Sequence, residues 1–251
     1  MLLNKLKLND DKTIVMLLHS KHTKPPPNIT SIRIGEIETI PFCTSARNLG
    51  VVLDSTLSME KFVNSKCQSA YYHMRNIAKI RPFLNTKSIE QLVHAFITTN
   101  LDYCNSLLCG LPQTLLTKLQ RIQNSAARLI TKESKRASIS PILYQLHWLP
   151  VEQRITFKVL LIMFRALTTG SPSYIREILC SHQPSRCLRS SNKNLLVVPA
   201  TRTKSYGDRS FSKFGSYHWN ALPLFIRNAH SVSSFKSQLK KHLFIKAFSD
   251  L

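Results

Sequence analysis

Carboxylates are scarce in this chain: 13 Asp and Glu stand against 35 Lys and Arg in 251 residues, a net charge of +22. Internal ion pairing cannot neutralise that excess, so the composition points to a polyanionic partner. Glycine is scarcer still, with six residues, and no G-x-S-x-G elbow, Walker loop or G-x-G-x-x-G occurs, which leaves hydrolase and nucleotide-cofactor chemistry unsupported. Long apolar runs are missing: the longest, Val159 to Phe164, is far below the roughly 20 residues of a membrane span. The first residues, Met1-Leu2-Leu3-Asn4-Lys5, lack the basic-then-apolar order of a secretory signal, so an intracellular site, nucleus or cytoplasm, is expected. The six cysteines include no C-x-x-C pair, which fits a reducing compartment. Cys180-x-His182 followed by Cys187 offers three soft ligands without a fourth at finger spacing, and the nine histidines include no H-E-x-x-H. No cofactor is therefore expected for this chain.

What is present is globular in kind, with 43% hydrophobic, 8% aromatic and 19% charged residues. The charge is unevenly spread. Residues 1–60 hold 7 basic and 6 acidic side chains, leaving 28 and 7 for the remainder. Membrane-binding polycations are usually short basic tracts or lipid-anchored ends, and neither is seen, so nucleic acid is the expected partner rather than a membrane.

Along the chain, Thr13 to Leu18 (TIVMLL) reads as a buried strand followed by a Pro-rich loop. Ile32 and Ile34 before Gly35-Glu36, with Ile37 and Ile40 after it, suit a hairpin, and Leu49 to Leu53 reads as another strand stopped by Asp54-Ser55-Thr56. From Leu57 the period becomes helical. One helix places Phe62/Val63, Cys67, Ala70/Tyr71, Met74 and Ile77/Ala78 inward, and a second, Thr86 to Thr99, places Ile89, Leu92/Val93 and Phe96/Ile97 inward. A third, from about Gln113 to Lys132, has Leu115, Leu119, Ile122, Ala126 and Leu129 on one face and Lys118, Arg121, Arg128 and Lys132 on another. Pro150 opens a fourth, with Val151, Ile155, Val159, Ile162/Met163 and Ala166 inward and Arg154, Lys158 and Arg165 outward. Residues 181–209 read as a basic, flexible connection interrupted by a strand-like Leu195 to Val198. A last helix from about Ser234 turns Phe235, Leu239 and Leu243 in and Lys236, Lys240 and Lys241 out.

Several stretches resemble one family. Leu6 to Thr13 before the TIVMLL run resembles the polymerase loop that carries a lysine ahead of a palm strand, and Asn48-Leu49-Gly50-Val51-Val52-Leu53-Asp54 resembles the next motif, the primer-gripping hairpin. Downstream, Leu101 to Ser106 (LDYCNS), Leu119 to Asn124 (LQRIQN), Leu146 to Pro150 (LHWLP) and Trp219 to Pro223 (WNALP) resemble thumb and C-terminal segments. In this order they resemble the end of the palm, the thumb and the C-terminal region of reverse transcriptases of non-LTR (LINE-type, jockey- or CR1-like) retrotransposons. That resemblance implies RNA-directed DNA polymerase chemistry in a full-length parent. There, carboxylates in an aromatic-Ala-Asp-Asp turn and on an earlier strand hold Mg²⁺. No such turn occurs here, the family's would precede Met1, and Asp10-Asp11 sits in a loop before Lys12. This chain alone is therefore expected to be inactive and to lack its N-terminal polymerase core.

The expected architecture is α+β and mostly helical. It comprises a palm-end remnant at 1–56, a helical thumb-like region at 57–180, the connection at 181–209 and a C-terminal region at 210–251. Lys12 reads either as a proton donor of an intact parent or, by preference, as a solvated loop lysine. The stripe Lys118, Arg121, Arg128 and Lys132, with Arg154 and Lys158, reads either as solvated helix faces or as contacts to the phosphates of an RNA–DNA hybrid or duplex. Trp148 and Trp219, each beside a Leu-Pro, are expected in the core rather than stacked on bases. A stand-alone nucleic-acid-binding module and a decayed reading frame are the alternative readings of the whole chain.

Overall fold

The computed structural model describes residues 12–23, 26, 28–34, 38–183 and 193–249. It is 57% helix and 8% strand, an α+β fold in which helices dominate, as expected. The chain divides into two compact units, Met1–Ser65 and Lys66–Leu251.

The first unit holds two separate antiparallel hairpins. β1 (Ser31–Ile34) pairs with β2 (Glu38–Pro41), Ile34 facing Glu38 across the register; the Gly35-Glu36 turn lies outside the described residues. β3 (Ser45–Asn48) pairs with β4 (Val51–Asp54) around Leu49-Gly50, whose φ angles of 45° and 80° give the left-handed pair of a two-residue hairpin. The strand expected at Leu49 to Leu53 is thus a turn followed by β4. The hairpin that the resemblance implies here is present, although its first strand, Ser-Ala-Arg-Asn, carries no β-branched or aromatic residue to mark it in the spacing.

Thr13 to Leu18, expected as a buried strand, is not one. It makes one parallel bridge, Val15 to Phe42, with the Cys43 N–H donating to the Val15 carbonyl at 2.9 Å. A ladder needs a neighbour along its whole length, and the described residues supply one at this point alone, leaving Ile14 59% and Leu18 55% exposed.

The corner after β4 is tightly organised. Asp54 is buried, and its carboxylate accepts from the backbone N–H groups of Ser58 and Met59, each at 2.9 Å, and from the hydroxyls of Thr56 and Ser58 at 2.7 and 3.1 Å. Burial pushes this carboxyl's pKa up, and the hydrogen bonds together outweigh it, holding the group below its usual value.

α1 (Glu60–Ile80) begins in the first unit and ends in the second. Its buried seam is Phe62, Val63, Lys66, Ala70 and Ile77; Cys67 is half-buried and Tyr71 and Ala78 are exposed, so the inward face is rotated from the one expected. A lysine faces inward because its ammonium finds two backbone carbonyls there, as shown below. After a 3₁₀ turn (Arg81–Phe83) comes α2 (Thr86–Val93), whose first turn is capped by Asn85 accepting from the Ser88 N–H at 2.8 Å. A π-helical turn (His94–Thr98) and α3 (Thr99–Asp102) continue the same rod. The wider turn keeps Ile89, Val93, Ile97 and Leu101 buried at four-residue steps and sends Phe96, expected inside, to 45% exposure.

A 3₁₀ turn (Asn105–Leu108) leads to α4 (Gln113–Thr131), α5 (Ile139–Gln145), α6 (Val151–Thr169), α7 (Ser173–Glu177), α8 (Phe211–Asn220), α9 (Leu224–Arg227) and α10 (Val232–Ala247). On α4 the five residues of the expected seam are all buried, and on α6 Val151, Ile155, Val159, Met163 and Ala166 are too. α10 buries Phe235, Leu239 and Leu243. Phe164 stacks on Phe235 with ring centroids 4.1 Å apart, and Trp219 lies 5.9 Å from Phe235, which centres the core where α6, α8 and α10 meet. Both tryptophans are buried as expected. The strand-like Leu195 to Val198 reduces to a single bridge, Ser181 to Leu196, because the Asn220 side chain takes both backbone groups of Leu196. Among the described residues no helix is long and apolar enough to cross a membrane.

Candidate nucleic-acid interface

The motifs of the helical unit act on one another. At the end of α5, the His147 N–H donates to the Tyr144 carbonyl at 3.0 Å and the Trp148 N–H to the Leu143 carbonyl at 2.9 Å, with His147 at φ +55°. This is a Schellman stop, and it swings Trp148 back into the core. The Gln123 side chain then donates to the Leu149 carbonyl at 2.8 Å, and the side-chain Oε1 of Gln120 accepts the first N–H of α6, from Val151, at 2.8 Å. LQRIQN therefore fixes LHWLP, and with it the start of α6.

The LDYCNS turn does the same for two cations. Its Asp102 receives Arg154 side-on, Nε to Oδ1 at 2.9 Å and Nη2 to Oδ2, and also the Asn105 amide at 3.3 Å. Lys66, 4% exposed, donates to the carbonyls of Asn100 and of Tyr103, the latter at 2.9 Å, with the Tyr103 ring centroid 5.6 Å away. Burial pulls its pKa down to about 8, opposed in part by the nearby Cys104 and Asp102. Likewise WNALP pins the chain around Asn194 to Leu196, the Trp219 indole donating to the Asn194 carbonyl at 2.9 Å.

These fixings leave a cleft of about 450 Å³ between the α2–α3 rod, the LHWLP turn, the first half of α6 and α10. Arg154, Lys158, Lys236 and Lys240 line it together with Glu90, Asp102, His94, Trp148 and Phe157. Arg154 is committed to Asp102, and Glu90 lies 3.5 Å from the His94 ring. Lys158, Lys236 and Lys240 are exposed, and among the described residues none of the three is ion-paired. The side-chain Oδ1 of Asn105, buried at the wall, has no hydrogen-bond partner among the described residues. An apolar floor with three uncommitted ammonium groups and an unfilled acceptor can receive a phosphate-bearing, hydroxyl-bearing chain.

Of the residues expected to bind nucleic acid, Arg154 and Lys158 meet in this cleft, while Lys118, Arg121, Arg128 and Lys132 are not in its lining. Arg128 donates to the carbonyls of Ser134 and Ala137 at 3.2 and 3.0 Å and closes the loop after α4; Lys132 is that helix's left-handed stop at φ +63°. Arg121 is exposed, and Lys118 is half-buried near Cys67, whose thiol burial pushes to a higher pKa. Lys12 is exposed, and Asp10-Asp11 lie outside the described residues. Lys236 and Lys240 were legible as an outward stripe; what the sequence did not reveal is that α10 carries them to α6. Among the described residues no group of three His, Cys, Asp or Glu is placed to hold a metal ion, and Cys187 of the Cys-His-Cys stretch lies outside them. No family model, no curated protein and no solved structure matches the chain.

Proposed function

We propose that this chain is the thumb and C-terminal part of a non-LTR retrotransposon reverse transcriptase, and that it grips an RNA–DNA hybrid or duplex through phosphates while adding no nucleotides by itself. The observation that carries the reading is the convergence of Lys158 with Lys236 and Lys240, nearly eighty residues apart in sequence, on one cleft without ion-paired carboxylates of their own. The +22 charge supports it, and so does the order of the family-like motifs. A phosphate clamp of this kind has little sequence preference and a steep salt dependence.

Binding of a labelled RNA–DNA hybrid at low and at moderate salt tests it. Affinity is expected to fall by at least tenfold between about 50 and 200 mM salt, the magnitude of several released counterions. Weak binding that barely changes with salt removes the proposal. A second reading, a stand-alone nucleic-acid-binding module, is favoured by the continuous core of α4, α6, α8 and α10. In-frame sequence upstream of the Met1 codon encoding an aromatic-Ala-Asp-Asp selects the polymerase reading over it.

A further inference from the structure

A second cavity, of about 390 Å³, lies apart from the lysine cleft and shares no lining residue with it. Phe164 and Trp219 form its apolar side, and Arg176, His182 and Arg227 bring cationic or polarisable groups to it. Arg227 is 8% exposed. Its Nη1 donates to the Asn220 carbonyl at 3.0 Å, but its Nε is buried with no hydrogen-bond partner among the described residues. A guanidinium stays charged in proteins, and a buried charge is ordinarily matched by an opposite one. Burial pulls its pKa down, yet among the described residues no carboxylate lines the cavity. The sequence has few to offer: after Glu177 the chain contains only Asp208 and Asp250, and Asp208 is bonded to Thr201 and 3.8 Å from Lys213. Arg176 donates to the Leu179 carbonyl at 2.8 Å and likewise meets no acid there.

We infer that this cavity is an oxyanion site for a terminal phosphate monoester. Two guanidinium groups match the charge of a phosphate dianion better than that of a carboxylate or a single phosphodiester, and their planar forks suit its oxygens. The volume and the Trp219 face leave room for an organic body beyond the phosphate. The chemistry is shared by a small molecule such as a nucleoside monophosphate and by the 5′-phosphate end of a nucleic-acid strand.

The test uses the full chain labelled with ¹⁵N, titrated at constant high ionic strength with AMP and with a short oligonucleotide bearing a 5′-phosphate or a 5′-hydroxyl. The two tryptophans give two indole N–H signals. A saturable shift of the Trp219 signal with the Trp148 signal unmoved is expected for at least one phosphate monoester, and not for the 5′-hydroxyl strand. Response to AMP assigns the small-molecule source, and response to the 5′-phosphate strand alone assigns the strand end. Arg227→Met should weaken the response at least tenfold. Should that variant fail to fold by circular dichroism, Arg176→Gln is the deciding one, with an expected several-fold loss. No saturable Trp219 shift with any monoester, or an equal shift of both indoles, overturns the assignment, as does unchanged affinity in the folded variants.

Discussion

The two units solve the burial problem differently. Among the described residues of Met1–Ser65 the strands pair only with their nearest sequence neighbours, in two hairpins that share no ladder, and Ile14, Leu18, Ile29, Ile32 and Leu49 remain exposed. In Lys66–Leu251, α4, α6, α8 and α10 bring distant residues into one core, with Ile122, Leu160, Phe164, Phe235 and Leu239 at 2% exposure or less. Two-stranded ribbons bury little apolar area and are marginal alone, whereas a multi-helix core gains roughly 25 cal/mol per Å² of apolar surface withdrawn from water. The first unit owes its order to local polar fixings such as Asp54, and the second to packing that also aims its lysines.

Core truncation should therefore have the largest effect. Phe235→Ala removes a fully buried ring stacked on Phe164 and should lower the unfolding free energy in urea by about 3–5 kcal/mol. Leu49→Ala, at 85% exposure in the first unit, should stay within about 0.5 kcal/mol. Equal losses would erase the contrast between the units.

Next comes the buried lysine. Lys66 has a folded pKa of about 8, below the ordinary 10.5, so the unfolded chain binds more protons between these values. Stability should rise with pH across that window, by on the order of 1–3 kcal/mol in all. Lys66→Met should flatten this rise in thermal unfolding followed from pH 7.5 to 10, and a slope that persists in the variant would place its origin elsewhere.

Asp54→Ala should cost about 1–2 kcal/mol, because the Ser58 and Met59 N–H groups lose their acceptor. Hydrogen exchange should quicken in residues 44–59 while α4, α6 and α10 keep their protection. The folded pKa of Asp54 is depressed, so its contribution is complete above the unfolded carboxyl range and fades as pH falls through the folded value. A smaller effect than these losses is a gain. Lys132→Gly, at φ +63° beyond α4, should stabilise by about 0.5–1 kcal/mol, seen as a raised Tm.

Legibility in the sequence followed the same divide. The seams of α4, α6 and α10 could be read from spacing, since helical burial follows a period set within the element. Strand order could not: TIVMLL is apolar and β-branched, yet whether it forms a ladder depends on a neighbour that its own residues do not specify. Lys66, not part of the expected seam, turns inward and Phe96, expected inside, turns outward for tertiary reasons, two carbonyls inviting an ammonium in and a π turn rotating a ring out. Each half of the lysine cleft was visible as a polar stripe, on α6 and on α10. Their meeting depends on the packing of α10 against α6, which no local pattern encodes. The four downstream motifs, LDYCNS, LQRIQN, LHWLP and WNALP, are polar fixings in the helical unit, with Gln120, Gln123, Asp102 and Asn220 tying one segment to the next.

The measurement that bears most directly on the cleft is the salt dependence of RNA–DNA hybrid binding by the natural chain beside its Lys158→Gln/Lys236→Gln/Lys240→Gln variant. All three lysines are exposed, so the variant should keep its fold. Each phosphate contact contributes roughly 0.9 to the slope of log affinity against log salt, and the variant should lose about 2–3 from that slope along with its affinity. An unchanged slope in a folded variant would contradict the account and locate the phosphate contacts on another face of the chain.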